Sequence, residues 1–353
     1  MRLFLISVTI FCAIISSVNS CSPADLAALK AFKTGLTDSH LGLFNSWVGT
    51  DCCVNWYGVS CDPETKRVVD INLRGESEDP ILTKSGQSGF MSGSISPEIC
   101  KLDRLTTLIV ADWKGITGEI PKCLTSLSNL RVLDLIGNKI SGDIPADIGN
   151  LKMLAVLNLA DNQISGKIPA SIVSMSGLMH LDVSNNQISG EMPADFGKLK
   201  MLSRALLNRN QLTGSIPVSV GNMNRLADLD LSRNRISGSV PDCLGKMQVL
   251  STLNLDGNLI SGQLPSTLLS NRGLGILNLS RNSIGGNIPD VFPRKFVFHG
   301  AGFVVQQLEG PDTRFAIGGQ IYRAPGSEPQ PLVWDHSGGQ PIRSPRSVVV
   351  CQQ

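Results

Sequence analysis

The chain has 353 residues, only 5% of them aromatic, and its 31 Lys and Arg against 29 Asp and Glu leave a formal charge of +2. So few rings argue against several large compact cores, which draw much of their buried area from aromatic side chains; thin, repeated aliphatic layers fit better. A near-neutral balance gives no hint of a nucleic-acid footprint, which would normally need a clustered basic surface.

Residues 1–20 read as a secretory signal. Arg2 supplies the positive start, Leu3 to Val18 is apolar and uncharged, and Val18 and Ser20 are small residues ahead of Cys21. The run is too short for a membrane anchor, no basic stop-transfer segment follows, and no later stretch is long enough to span a bilayer. Removal of Cys12 with the signal leaves eight of the nine cysteines. Cys21, Cys52, Cys53 and Cys61 cluster near the mature N-terminus, where a secreted context favours disulfides over a metal. Adjacent Cys52 and Cys53 must each reach outward, either as Cys21–Cys52 with Cys53–Cys61 or as the swapped partition. Cys100 and Cys123 follow Pro97 and Pro121 at near-equivalent places and form a third candidate bridge, whereas Cys243 is expected to be a buried small apolar residue. Residues 21–68 are expected to form an N-terminal cap. In it Ser22 to Gly35 makes an amphipathic helix carrying Leu26, Leu29 and Phe32, joined by Trp47 and Trp56.

From 69 to 292 the chain is periodic. Val69 to Leu73 reads as a first strand, followed by an irregular insert through Gly89. Asn then recurs at 138, 162, 186, 210, 234, 258 and 282, each 24 residues beyond the last. Around these positions the text repeats as LxxLxLxxNxLxGxIP, for example LRVLDLIGNKISGDIP from Leu130 and LADLDLSRNRISGSVP from Leu226. A period of this length and spacing predicts an α/β leucine-rich-repeat solenoid, a horseshoe with a parallel concave sheet. The L-x-L segment alternates in, out, in, as a strand with one buried face must. The Asn amide can both donate to and accept from turn backbone groups that lack ladder partners. Gly142 and Gly166 permit tight bends, and Pro145 and Pro169 stop the segment from extending as a central strand. Ala111 to Thr117 carries one residue too many, with Trp113–Lys114 where Asn is due, and is expected to form a small bulge.

CSPADLAALKAFKTGL, DCCVNWYGVSCD and the LxGxIP repeats resemble plant extracellular leucine-rich-repeat proteins, including the polygalacturonase-inhibiting proteins. LTTLIVADWKGITGEIP and ADFGKLKMLSR resemble more specifically the plant leucine-rich-repeat proteins named for DNA-damage repair and toleration. That name implies a role at DNA, but a signal segment, disulfides and neutral charge argue against contact with nucleic acid.

After Phe292 the pattern vanishes, and residues 293–353 read as an aberrant tail. Read from the second base of each codon, His299 onward allows MVLDLSFNNLKGPIP, and Gly319 to His336 allows AAKFIGHLDLSHNHLCGTI. The hidden Asn codons straddle Gln306–Gln307 and Gln330–Pro331, in phase with Asn282, and Trp334, which has a single codon, forces Gly where the repeat wants it. The tail is therefore expected to be a frameshifted form of two repeats and a C-terminal cap, leaving the layer around Leu277 and Leu279 uncovered.

No catalytic constellation stands out. His40, His180, His299 and His336 show no metal-ligand spacing, there is no phosphate-cradling loop, and no cofactor is implied. The acidic residues fall in register with the repeats, and a hydrolase would need a carboxylate pair off that register. The outward column between the paired leucines reads Asp134, Asn158, Asp182, Leu206, Asp230, Asn254 and Asn278. Its neighbour reads Val132, Val156, His180, Arg204, Asp228, Thr252 and Ile276. The candidate ligand-binding residues are Asp134, Asn158, His180, Asp182, Arg204, Asp228, Asp230, Asn254 and Asp256, on a mildly acidic concave face. Asn278-Leu279-Ser280 is the single N-glycosylation sequon and lies on the same face. The expected function is non-catalytic recognition of an extracellular protein or glycan in the plant cell wall or apoplast, in defence or stress. Hydrolase inhibition and a structural role on wall polymer or ice are the rivals. Sequencing the transcript across the codons for Ile288 to Gly302 is expected to reveal one surplus or missing base; an intact frame there refutes the hidden repeats.

Overall fold

A computed structural model of the chain describes residues 21–38, 41–75 and 90–285, together with the strands 296–299, 304–307, 314–317 and 320–323. The expected signal segment, the insert before Gly89 and most of the tail lie outside these residues. The chain divides into two compact units, Met1–Ser189 and Gly190–Gln353.

The first unit begins with helix α1 (Pro23–Thr34), which starts at a proline and buries Ala28, Leu29 and Phe32. Asp25, in its first turn, is fully buried. Its carboxylate accepts from Arg67 Nε and Nη2, both at 2.9 Å, and from the Val68 N–H at 2.9 Å. This buried anion therefore welds the helix to the start of the first repeat strand. Arg67 also pairs with Asp103, and its guanidinium is held even further into the charged state, first by Asp25. Trp47 stacks on Trp56 at 5.1 Å, and each indole N–H finds a carbonyl, of Tyr57 and Val48 respectively, at 2.9 Å. Cys21–Cys52 and Cys53–Cys61 close the cap, and Cys100–Cys123 joins two successive coils.

Strands β1 (Leu36–Asp38), β2 (Val59–Cys61), β3 (Val68–Arg74), β4 (Met91–Ser94), β5 (Thr107–Ala111), β6 (Lys114–Thr117), β7 (Val132–Asp134), β8 (Val156–Asn158) and β9 (His180–Asp182) follow. From β3 the sheet runs parallel through β5, β7, β8 and β9 without a register slip, placing Asp70, Thr107, Val132, Val156 and His180 in one row. A second sheet, β1-β4-β6, continues as the bridges Glu119–Ser141, Asp143–Ser165 and Lys167–Ser189. Short 3-10 turns such as Lys122–Ser126 and Ala170–Ser174 return each coil to the next strand.

Along the second unit lie β10 (Ser189–Glu191), β11 (Arg204–Leu206), β12 (Gln211–Thr213), β13 (Asp228–Asp230), β14 (Thr252–Asn254), β15 (Ser261–Gly262), β16 (Ile276–Asn278) and β17 (Ser283–Ile284). Here too the parallel register repeats, through Arg204, Asp228, Thr252 and Ile276. Beyond it, β18 (Phe296–His299) pairs antiparallel with β19 (Val304–Gln307), which itself runs antiparallel along β16. Leu277 and Leu279 are 1% and 2% exposed, so the final leucine layer is covered and not open as the sequence led us to expect. Cys243 is half-exposed instead of buried, with its thiol donating to the Val218 carbonyl.

The periodic asparagines hold coil to coil. Asn234 Nδ2 donates to Leu231 O at 3.0 Å and Ser232 O at 3.2 Å in its own turn, and to Leu207 O of the preceding coil at 3.0 Å. Its Oδ1 accepts the Leu212 N–H, also of the preceding coil, at 3.0 Å. Asn162, Asn186, Asn258 and Asn282 repeat the pattern. Trp113 takes the asparagine's seat in the longer coil: it is fully buried and its indole N–H donates to Leu73 O at 2.9 Å. Asp112 holds the usual left-handed place before that seat at φ 63°, and Lys114 after it adopts φ 58° to absorb the extra residue, as a bulge should. The next asparagine, Asn138, keeps its three donated bonds, but its Oδ1 is buried without a partner. Asn234→Ala would leave the Leu212 N–H without its acceptor, at roughly 1–3 kcal/mol for a buried group left unpaired. Leu207 O, Leu231 O and Ser232 O would still accept from the Asn210 amide, the Asn258 amide and the Arg209 N–H. Asn138→Ala strands no N–H and removes a buried orphan. Leu135 O and Ile136 O still accept from the Asn162 amide and the Asp112 N–H, and only the Val110 carbonyl loses its side-chain donor. Urea melts should therefore show the smaller loss for Asn138→Ala; equal losses would contradict this account.

Candidate functional site

In both units the residues that face outward from the parallel sheet form two in-register columns, and hydrogen bonding separates them by role. In the Asp134 column the side-chain oxygen accepts the N–H two residues on, ending the strand with an Asx turn. Asp134 receives Ile136 N–H, Asn158 receives Ala160, Asp182 receives Ser184, Asp230 receives Ser232, Asn254 receives Asp256 and Asn278 receives Ser280, all at 2.9–3.3 Å. Several second contacts are occupied too. Asp134 also pairs with Arg74, which bridges to Asp112 at 2.7 Å, and Asp230 Oδ2 accepts from Asn254 Nδ2 at 3.2 Å. The Ser184 hydroxyl donates to Asp182 at 2.7 Å.

Most of the acidic face expected to meet ligand is thus engaged in shaping the turns. Asp134 and Asp256 are buried, at 7% and 6% exposure, and are not available as an open binding surface. Arg281 grips Asp256 through Nε at 2.8 Å and through Nη2, and that contact raises the Arg281 pKa. Asn278 of the sequon stands half-buried at the end of β16.

The neighbouring column makes no Asx turns. Val132, Val156 and His180 are half-buried on β7, β8 and β9. On β11–β16 Arg204 lies 3.7 Å from Asp228, a loose ion pair with side chains 51% and 37% exposed, followed by Thr252 and a 44% exposed Ile276. An exposed pair at that distance contributes about 0–1 kcal/mol. Within the turn column Leu206 is the exception: it half-faces solvent from β11 and has no side-chain oxygen for the turn.

A strand-centred reading of the sequence passes over a third column, immediately before the periodic asparagines. There the backbone is left-handed, and Gly137, Asp161, Asn185 and Gly257 fill it with residue types that tolerate this conformation. Arg209, Arg233 and Arg281 adopt the same conformation, at φ of 54°, 54° and 52°, at a cost of about 1 kcal/mol or more each. Arg281 grips Asp256, whereas Arg209 and Arg233 are exposed and neither guanidinium has a partner among the described residues. An Arg in this seat with no carboxylate gripping it, unlike Arg281, is what marks them.

Among the described residues the one grouping with metal-ligand spacing is Cys21, Cys52 and Cys53, and all three are in disulfides. No described helix is long and apolar enough to cross a membrane.

Family models agree with the coils. The leucine-rich-repeat N-terminal domain matches residues 22–62, a leucine-rich-repeat region matches 93–213, and further leucine-rich repeats match 201–260 and 273–294. A DNA damage-repair/toleration protein of Arabidopsis thaliana is 61% identical over 132 residues, 37% of this chain and 36% of that protein. The chain is a plant-type leucine-rich-repeat protein. A polygalacturonase inhibitor of Vitis vinifera is 30% identical over 141 residues, 38% of each chain. These matched segments span little more than a third of either relative. The leucine-rich-repeat ectodomain of an Arabidopsis thaliana receptor kinase, GASSHO1/SCHENGEN3, solved with CASPARIAN STRIP INTEGRITY FACTOR 2, superposes with a TM-score of 0.67 at 29% identity. It covers 76% of this chain and 31% of that one. The architecture is thus a leucine-rich-repeat solenoid with a parallel sheet and a disulfide-linked N-terminal cap.

The two columns of this leucine-rich-repeat protein should respond differently to truncation. Asp182→Ala removes the acceptor of a turn N–H and is expected to cost about 1–2 kcal/mol, whereas Thr252→Ala should leave the denaturation midpoint within about 0.5 kcal/mol. Chemical denaturation of both variants checks the contrast.

Proposed function

We propose that this chain is a secreted, non-catalytic recognition scaffold of the plant cell wall or apoplast, taking an extracellular protein or glycan on the outward face of its parallel sheet. One observation carries the reading: in each unit, beside a column consumed by turn capping runs a second, in-register column whose side chains cap no turn. Val132, Val156 and His180 in the first unit, and Arg204, Asp228, Thr252 and Ile276 in the second, vary in chemistry while the backbones within each unit repeat without slippage. A rigid backbone presenting variable side chains lowers the ordering cost of binding and lets specificity change without refolding. The three disulfides favour an extracellular setting. So does the likeness to a receptor ectodomain solved with CASPARIAN STRIP INTEGRITY FACTOR 2.

Inhibition of a wall-degrading hydrolase is the second reading, favoured by the 30% identity to a polygalacturonase inhibitor. It predicts that the purified protein binds and slows members of a polygalacturonase panel; a panel left uninhibited and unbound removes it.

The broader reading is tested by retention of apoplastic material on the immobilised protein. Val156→Arg and Thr252→Arg place a bulky cation on the outward face, and Lys152→Glu alters an exposed turn between a 3-10 segment and the next strand. Specific retention should fall at least tenfold in the first two variants and persist in the third. Equal retention by all three would show that the sheet face is not the recognition surface.

A further inference from the structure

Turn chemistry sets one coil apart. At six of the seven positions in the turn-capping column an Asp or Asn closes the strand, and at the seventh stands Leu206. The same coil carries Arg204, exposed at the start of β11, and Arg209, exposed in its left-handed turn. Strand β13 pairs in register, setting Leu206 beside Asp230 and Arg204 beside Asp228, and its turn adds Arg233. Asp228 pairs loosely with Arg204, and no carboxylate among the described residues forms an ion pair with Arg209 or Arg233. Asp230 is held by the Ser232 N–H at 2.9 Å and by Asn254 at 3.2 Å. Asp228 is 3.7 Å from Arg204 and accepts a 3.5 Å bond from the Ser251 hydroxyl. Asp256 is committed to Arg281. Arg209 and Arg233 are left at equivalent places in the turns of successive coils, where the Arg209 N–H donates to Ser232 O, with backbones roughly one strand spacing of 4.8 Å apart. Like charges directly opposite one another are unfavourable, and the left-handed backbone adds to that.

We infer that Leu206, flanked by Arg204, Arg209 and Arg233, is the anchor point for an extended segment of a protein partner that sets an apolar side chain between acidic ones. This rests on the recognition reading and narrows its ligand. The fold gains nothing from Leu206, which forgoes a turn bond, or from two unpaired cations in strained turns. A partner supplies what both lack: apolar contact that desolvates Leu206, and carboxylates that pair bidentately with Arg209 and Arg233. Arginine suits this site better than lysine because its planar fork fixes carboxylate geometry. A glycan without apolar side chains would engage the arginines and leave Leu206 wet, so the leucine decides for a polypeptide.

The test is selection of a random dodecapeptide display library on the immobilised full chain, in parallel with Leu206→Asn and with the double variant Arg209→Ala/Arg233→Ala. Leu206→Asn restores the side chain that the other coils use, so it should fold with a melting temperature equal to or above that of the parent. Peptides with an apolar residue between Asp or Glu are expected to be enriched at least tenfold on the parent, and the enrichment should vanish on both variants. In fluorescence anisotropy an enriched peptide should lose tenfold or more in affinity to Leu206→Asn. Enrichment of unrelated motifs, or equal enrichment on Leu206→Asn, overturns the anchor. So does oligogalacturonate displacing the peptide and binding parent and Leu206→Asn alike, which would mark a plain anion surface. If apoplastic ligand is lost in Val156→Arg and Thr252→Arg yet kept in Leu206→Asn, recognition by the sheet stands and only the anchor falls.

Discussion

A buried carboxamide between consecutive coils is the constraint on which the rest of this protein depends. Each coil is too thin to bury its own leucines, so it is stable only against its neighbours, and those neighbours must arrive in register. The asparagine side chain sets that register by joining the carbonyls of its own turn to a carbonyl and an N–H of the coil before, as Asn234 does. A side chain that only donates can hold one direction of this link. Trp113 does so through its indole N–H to Leu73. The inserted residue beside it changes which backbone N–H is presented, and Asn138 Oδ1 is left without one.

Once the register is fixed, the outward face is divided between needs of the chain and freedom to vary. A strand of three residues must stop, and a side-chain oxygen that takes the N–H two residues on stops it locally. The Asp and Asn column is therefore polar for an architectural reason, and its acidity says little about the ligand. The adjoining column carries no such duty. Its contents, from Val132 to Ile276, are where recognition can be written without disturbing the coil. Leu206 shows the boundary between the two columns crossed at one coil.

At the N-terminal end the stack begins on an element of different chemistry. Helix α1 has no leucine ladder to join, so a buried ion pair replaces it, with Asp25 taking both the Arg67 guanidinium and the Val68 N–H. Two disulfides and the Trp47–Trp56 stack add rigidity in a segment too small to be held by apolar burial alone.

The sequence by itself determined the period, the strand positions, the cap helix and its cysteine cluster, because each is written as spacing, and spacing maps directly onto a repeated coil. It marked Trp113 as irregular and named the outward columns residue by residue. Tertiary structure alone decided which of those residues are occupied. Asp134, Asp182, Asp230 and Asp256 look alike in the sequence as acidic residues in register, yet each takes a partner from the turn ahead, from the next coil, or from an arginine as distant as Arg74 or Arg281. Periodicity records where a side chain points and is silent on what stands within hydrogen-bond reach of it. That depends on turn geometry and on the packing of neighbouring coils, which exist only once the chain is folded.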